Sequence, residues 1–265
     1  MGGGSEKWSD LAVRLVSGAL LVILGLAGMW VGGLVFITMV ALVSGLMVWE
    51  LVRMLEPEGQ ILAIGLCGLS ALAILPATYL PIGLALPLLM SPALVGFASL
   101  REYRGLYAVF TVMVLLAGFG MVSLRNDDLG LGWLLWLVLV VIATDVVGYF
   151  AGRMIGGPKF WPRVSPKKTW SGTVCGWVAA AGVGAGFMVT TGAGVQILGV
   201  SVAVSIASQM GDIAESAIKR RVGVKDSSNL IPGHGGVLDR FDGMLGAAVF
   251  VLLVGPVIGF PPSAV

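Results

Sequence analysis

Charge is scarce in this chain. Asp, Glu, Lys and Arg make up only 11% of its 265 residues, against roughly 25% in a soluble domain. Histidine occurs once, at His234. Beside 57% hydrophobic residues and a mean hydropathy of +0.99, that scarcity excludes a soluble globular enzyme and a disordered chain. The two cysteines, Cys67 and Cys175, both sit in apolar runs, so there is no disulfide framework of a small secreted protein. The N-myristoylation pattern needs Ser or Thr at position 6, where Glu6 stands. The first apolar run lacks a small-residue cleavage site and reads as a retained helix. No internal repeat suggests an inverted-repeat transporter, and no linker marks a second domain.

What the chain has instead is apolar length and 40 glycines, which suit close packing of helices in lipid. Apolar runs predict an all-α, polytopic membrane protein of about nine spanning helices. The spans fall near 13–31, 33–54, 61–77, 80–98, 105–124, 131–152, 173–192, 195–218 and 239–258. The whole of 1–265 reads as a single transmembrane domain. Residues 1–130 are N-terminal apolar spans, and 131–265 form a catalytic half with polar loops at 153–172 and 219–238. With nine spans and a cytoplasmic N-terminus, every one of the 16 Lys and Arg residues except Arg125 falls on the cytoplasmic side. That asymmetry places the C-terminus outside. The expected location is the cell inner (plasma) membrane, multi-pass, with the active site facing the cytoplasm.

The two polar loops concentrate cations. The first carries Arg153, Lys159, Arg163, Lys167 and Lys168 without an acid. The second opens with Lys219, Arg220 and Arg221, followed by Lys225. Cations hold loops inside, but topology alone does not require Pro, Gly, Ser and Trp among them, so these loops read as a basic mouth for a phosphate or pyrophosphate. Acids fall within or beside the predicted spans at Glu50, Asp145, Asp212, Glu215, Asp239 and Asp242. An intramembrane charge should face protein, water or a metal. Glu50, near Arg53, reads as structural. Asp212, Glu215 and Lys219 share one helix face, as do Asp239 and Asp242. If the helices form a hairpin, their acidic faces meet, and hard oxygen donors near a phosphate site point to Mg²⁺. Salt bridges from Asp212 or Glu215 to Lys219, and from Asp239 to Arg240, account for only some of the acids. Between the helices lies His234, flanked by Gly233, Gly235 and Gly236, whose backbone can approach a ligand and present N–H groups to oxyanions.

These residues carry a resemblance. The 27 residues from Ser216 to Asp242, SAIKRRVGVKDSSNLIPGHGGVLDRFD, resemble the signature of phosphatidate cytidylyltransferases, also called CDP-diacylglycerol synthases. Upstream, Thr144, Asp145, Gly152, Arg153 and the run Ser165-Pro166-Lys167-Lys168-Thr169-Trp170 are also similar to that family, with a looser fit at Val146-Val147-Gly148. The resemblance covers roughly the C-terminal half. It implies a reaction of CTP with phosphatidic acid that gives CDP-diacylglycerol and pyrophosphate, with Mg²⁺ (or Mn²⁺) and a monovalent cation, K⁺, as cofactors. By position it implies Asp212, Asp239 and Asp242 as catalytic, metal-binding carboxylates, with Lys219 and His234 also catalytic. Lys167, Lys168, Arg220, Lys225, Gly235, Gly236 and Arg240 would contact substrate, as would Asp145 and Asp226 in less defined roles. The partners are then CTP, phosphatidic acid and membrane lipid, with no nucleic acid.

Rival classes fit less well. A CDP-alcohol phosphotransferase needs Arg and later Asp residues that do not follow Asp242-Gly243. An ion-coupled transporter leaves the Gly233–Gly236 loop and the Ser165–Lys168 run unexplained, and a CTP-dependent lipid kinase would differ in its product. The spacings Gly172-x-x-x-Gly176 and Gly182-x-x-x-Gly186 fit a homodimer face and packing within one chain equally well.

Overall fold

The computed structural model describes residues 3–261, with side chains from residue 13 onward, so the expectations for the side chains of Glu6 and Lys7 lie outside the described residues. The helices are α1 (Gly3–Val31), α2 (Gly33–Leu55), α3 (Gln60–Ala77), α4 (Ile82–Ser99), α5 (Arg104–Asn126), α6 (Gly130–Ile155), α7 (Trp170–Thr191), α8 (Gln196–Val222) and α9 (Leu238–Ile258). Among the described residues, nine helices are long and apolar enough to cross a membrane. This is the architecture of a multi-pass membrane protein. Lipid offers no hydrogen bonds, so apolar runs rich in β-branched residues are driven into helices that satisfy their own backbone. Breaks fall where the backbone needs them. Pro81 precedes α4, and Gly192 takes the left-handed conformation (φ 71°) that closes α7.

Two details differ from the sequence-based expectation. Helix α8 runs on to Val222, so Lys219, Arg220 and Arg221 form its last turn instead of opening a loop. Cations there face the negative end of the helix dipole. The 153–172 segment contains a two-stranded antiparallel hairpin, β1 (Lys159–Trp161) and β2 (Ser165–Thr169), with Lys159 opposite Thr169 and Trp161 opposite Ser165. Phe160 packs edge-on against Trp170 where the hairpin meets α7 (centroids 4.7 Å apart), and Thr169 caps that helix by accepting from the Gly172 amide at 3.2 Å.

By compactness the chain forms two units. The first comprises Met1–Leu115 and Val222–Phe241. Its centre is α2, where Phe36, Val48, Leu51 and Val52 are buried. Helix α3 lies on α2 at Gly45, close to the Cys67 carbonyl, and α4 follows on α3. Tyr107 of α5 lays its ring over Gly96 of α4 and donates its hydroxyl to the Pro92 carbonyl at 3.1 Å.

The second unit comprises Leu116–Arg221 and Asp242–Val265. Here α6 and α7 pack backbone to backbone. A Cβ on Gly172 would lie 2.4 Å from the Gly148 carbonyl oxygen, and one on Gly176 would lie 3.1 Å from that of Thr144. Helices α8 and α9 cross in the same way, with a Cβ on Gly211 falling 2.3 Å from the Asp242 carbonyl oxygen and one on Gly246 2.1 Å from that of Ala207. Buried polar groups pair across helices: Trp136 Nε1 donates to Ser201 Oγ at 2.9 Å, and Thr144 Oγ1 to Ser205 Oγ at 2.8 Å. The Gly172/Gly176 spacing therefore serves packing within the chain, whereas Gly182 and Gly186 have open space where a Cβ would go.

These contacts separate glycines of one sequence pattern into two classes. Gly211→Leu and Gly172→Leu should each destabilise the protein by at least about 1–3 kcal/mol, because the added atoms meet rigid backbone. Gly186→Leu should stay within about 0.5 kcal/mol of the parent. Thermal unfolding in detergent measures the difference.

Candidate active site

The α8–α9 crossing brings acids together in the second unit. Asp212 lies beside Gly211 on α8, at the point where α9 touches it, and Asp242 lies one turn before Gly246 on α9. Asp242 is within electrostatic reach of Asp212, Asp145 and Lys219. Asp145, from α6, is within reach of Lys168 and Asp212. Two cations face these acids. Lys168 Nζ pairs with Asp212 Oδ2 at 2.5 Å, and Ser216 Oγ donates to Asp212 Oδ1 at 3.2 Å. Lys219 Nζ pairs with Glu215 Oε2 at 2.5 Å, with the Glu215 side chain fully buried. Asp242 Oδ1 accepts from the Gly243 amide at 2.7 Å.

The hairpin explains why adjacent lysines differ. Successive strand residues point to opposite faces. Lys168 turns inward onto Asp212, while Lys167 is exposed. Of the two adjacent lysines, Lys168 is the one that belongs to the acid cluster. Lys167 and Arg220 are exposed at the surface of the same unit, where a polyanion could meet them.

The signature loop belongs to the first unit and is built around two carboxylates. Glu50 of α2 is fully buried. Its Oε1 accepts from Ser228 Oγ at 2.6 Å and from the Val237 amide at 2.8 Å. Its Oε2 accepts from the Leu238 amide at 2.7 Å and lies 3.1 Å from Ser227 Oγ. Asp239 Oδ2 accepts from the amides of Ser227 (2.9 Å) and Gly236 (2.8 Å), and Ser227 Oγ is 2.9 Å away. Glu50 is held by these donors and not by Arg53, which donates to the Pro57 carbonyl. Asp239 holds the loop through these amides, and Arg240 is exposed. Within the loop, the His234 amide donates to the Ile231 carbonyl at 2.9 Å. The amides of His234 and Gly236 are therefore taken up internally and not presented to an oxyanion. The missing side chain of Gly236 instead makes room for Ser227 and Glu50, since a Cβ there would lie 1.9 Å from Ser227 Oγ.

His234 is half-buried. Its Nδ1 is 2.9 Å from Ser17 Oγ on α1, and its ring packs over Gly18. Gly233 fits against Arg14 of the same helix. Lys225 and Asp226 are exposed, and Gly235 packs against Asp239. Ser17, Ser227, Ser228 and the anchoring role of Glu50 were missed in the sequence. A charged residue deep in the apolar run of α2 was the available signal for Glu50. Nothing in the spacing could reveal Ser17.

The residues present can be weighed against a metal. Among the described residues, no three His, Cys, Asp or Glu side chains form a group able to hold an ion by themselves. Asp212 and Asp242 nevertheless supply hard carboxylate oxygens in mutual reach. Mg²⁺ is usually bound through one or two carboxylates, with water and substrate phosphates completing its shell, so the donor chemistry fits.

Comparison with known proteins shows the family. A model of the cytidylyltransferase family matches residues 12–257, and the chain belongs to that family. It is 47% identical over 161 residues to a phosphatidate cytidylyltransferase of Brucella suis, covering 56% of this chain and 58% of that one. It is 31% identical over 254 residues to the phosphatidate cytidylyltransferase of Bacillus subtilis, covering 89% and 94%, and 32% identical over 251 residues to that of Staphylococcus aureus, covering 89% and 95%. The match thus spans little more than half the length of the Brucella relative.

The Lys168–Asp212 pair should be energetically coupled. Lys168→Met, Asp212→Asn and the double variant should give a coupling of about 0.5–3 kcal/mol in a stability cycle. The same cycle with Lys167→Met should give none. Denaturation in detergent without substrate or metal measures both.

Proposed function

We propose that this chain is a CTP:phosphatidate cytidylyltransferase acting in phospholipid synthesis. The observation that carries the reading is the cluster of Asp145, Asp212 and Asp242 with Lys168 and Lys219, built where a family signature crosses a bundle of apolar helices. The lipid phosphate oxygen attacks the α-phosphorus of CTP. A new phosphorus–oxygen bond forms, the α–β bridging bond breaks, and pyrophosphate leaves with its electron pair. No covalent enzyme intermediate is needed, so positioning and charge stabilisation supply the catalysis.

Both substrates are polyanions. Lys167 and Arg220, exposed on the unit that carries the acid cluster, neutralise phosphate charge. Lys219 and Lys168 counter the acids and fix their orientation. Asp212 and Asp242 would hold Mg²⁺. When bound, the ion offsets the charge of the CTP phosphates and polarises the reacting phosphoryl group. Carboxylates and triphosphate together exceed the charge of one divalent ion, and unpaired buried charge is costly. A monovalent cation, K⁺, would supply part of the remainder. Lipid enters sideways with its tails in hydrocarbon, and nucleotide enters from the cytoplasm across the inner membrane. The open Gly182/Gly186 face is the surface a homodimer would use.

Purified protein given labelled CTP and phosphatidic acid should yield CDP-diacylglycerol and pyrophosphate in equal amounts. Phosphorylated lipid without cytidine would instead indicate a kinase. Asp212→Ala and Asp242→Ala should each lower kcat by about 100-fold or more while leaving membrane insertion intact. EDTA should abolish turnover and Mg²⁺ or Mn²⁺ restore it, with K⁺ stimulating further and Ca²⁺ substituting poorly. Full turnover in metal-free protein would sink the metal assignment.

Orientation is tested separately. With Cys67 and Cys175 replaced, Arg163→Cys should label only from the cytoplasmic face of sealed vesicles and Asp127→Cys only from the opposite face. Labelling of both from one face would reject the proposed topology.

A further inference from the structure

Glu50 sits in α2, far in sequence from every signature residue, yet it is the most completely enclosed carboxylate contact of the signature loop. Its two oxygens are used symmetrically, each meeting one backbone N–H and one serine hydroxyl. The two amides, Val237 and Leu238, begin α9, where N–H groups have no partner within the helix and the dipole favours a negative charge. Ser227 Oγ stands between Glu50 Oε2 and Asp239 Oδ2, at 3.1 Å and 2.9 Å. A hydroxyl has one proton to donate, so this serine links the two carboxylates by serving either. Four loop amides, those of Ser227, Gly236, Val237 and Leu238, end on these two side chains.

We propose that Glu50 is a positioning residue for the reaction: by anchoring Ser227, Ser228 and the first amides of α9, it holds the loop that carries His234 and Asp239. This rests on the reading that the loop serves cytidylyl transfer. The glycine pair of the signature gains a concrete reason as well. A Cβ on Gly236 would fall 2.6 Å from Glu50 Oε1 and 1.9 Å from Ser227 Oγ. Gly236 is therefore a glycine because of a residue on another helix, and not for direct contact with a phosphate.

The informative variant is Glu50→Gln. An amide keeps the size but offers one acceptor oxygen in place of two. The serine hydroxyls can turn to accept from its NH₂ group, but a backbone N–H cannot, so one amide at the start of α9 loses its partner. Hydrogen exchange of the full-length protein in detergent, read by mass spectrometry, should show amides over 227–238 exchanging about tenfold faster, with α3 and α4 unchanged. Gly236→Ala should loosen the same segment. In the CTP and phosphatidic acid assay, Glu50→Gln should lower kcat by about 10- to 100-fold, with the KM for lipid within about twofold.

Unchanged exchange over 227–238 would overturn the anchoring. Exchange rising equally through α3 and α4, or a loosened loop with undiminished kcat, would overturn the positioning role in favour of a purely structural one. An inactive wild type would reject the proposed reaction itself, while the exchange measurement would still decide whether Glu50 anchors the loop.

Discussion

At Gly211 and Gly246, α8 and α9 meet without side chains between them. A single methyl group at either position would collide with backbone of the other helix. In lipid there is no hydrophobic force to press two helices together, so association relies on close van der Waals contact and buried polar pairing. That contact brings Asp212 and Asp242 within electrostatic reach of each other, with Lys168 delivered from a hairpin and Lys219 from about two turns further along α8. The α6–α7 pair obeys the same rule at Gly148 and Gly172, and through it Asp145 reaches the group.

Charge imposes the second constraint. A carboxylate in an apolar helix must find donors or a cation, and the two units answer differently. In one, Asp212 and Glu215 are each matched by a lysine at 2.5 Å. In the other, Glu50 and Asp239 are surrounded by amides and hydroxyls, which makes them the frame of a loop. Residues of the same chemical type thus take separate roles according to whether lysines or backbone N–H groups meet them.

Much was legible in advance. The nine spans fall within a few residues of their expected limits, because a run of apolar side chains in a membrane has only the helix available to it. The acids and cations of the site stood out because charge is rare in such a chain. The hairpin at 159–169 was not visible, since three- and five-residue strands leave no clear periodicity among Pro, Lys and Arg. Nor did the spacing distinguish Lys167 from Lys168, which requires knowing which face of a strand looks inward.

By itself, the sequence determined the membrane setting, the nine apolar spans and the family. The first two follow from composition and local order, and the family from the resemblance carried by residues 216–242. Only the tertiary structure decided partners. It put Lys168 on Asp212, Ser17 beside His234 and Glu50 under the start of α9. It also showed that Gly172 and Gly176 pack inside the chain while Gly182 and Gly186 stay open. The physical reason is the same in each case. Local pattern sets which face of an element is polar or small, but what that face meets depends on how distant segments cross, and two glycine spacings identical in sequence can end in different surroundings.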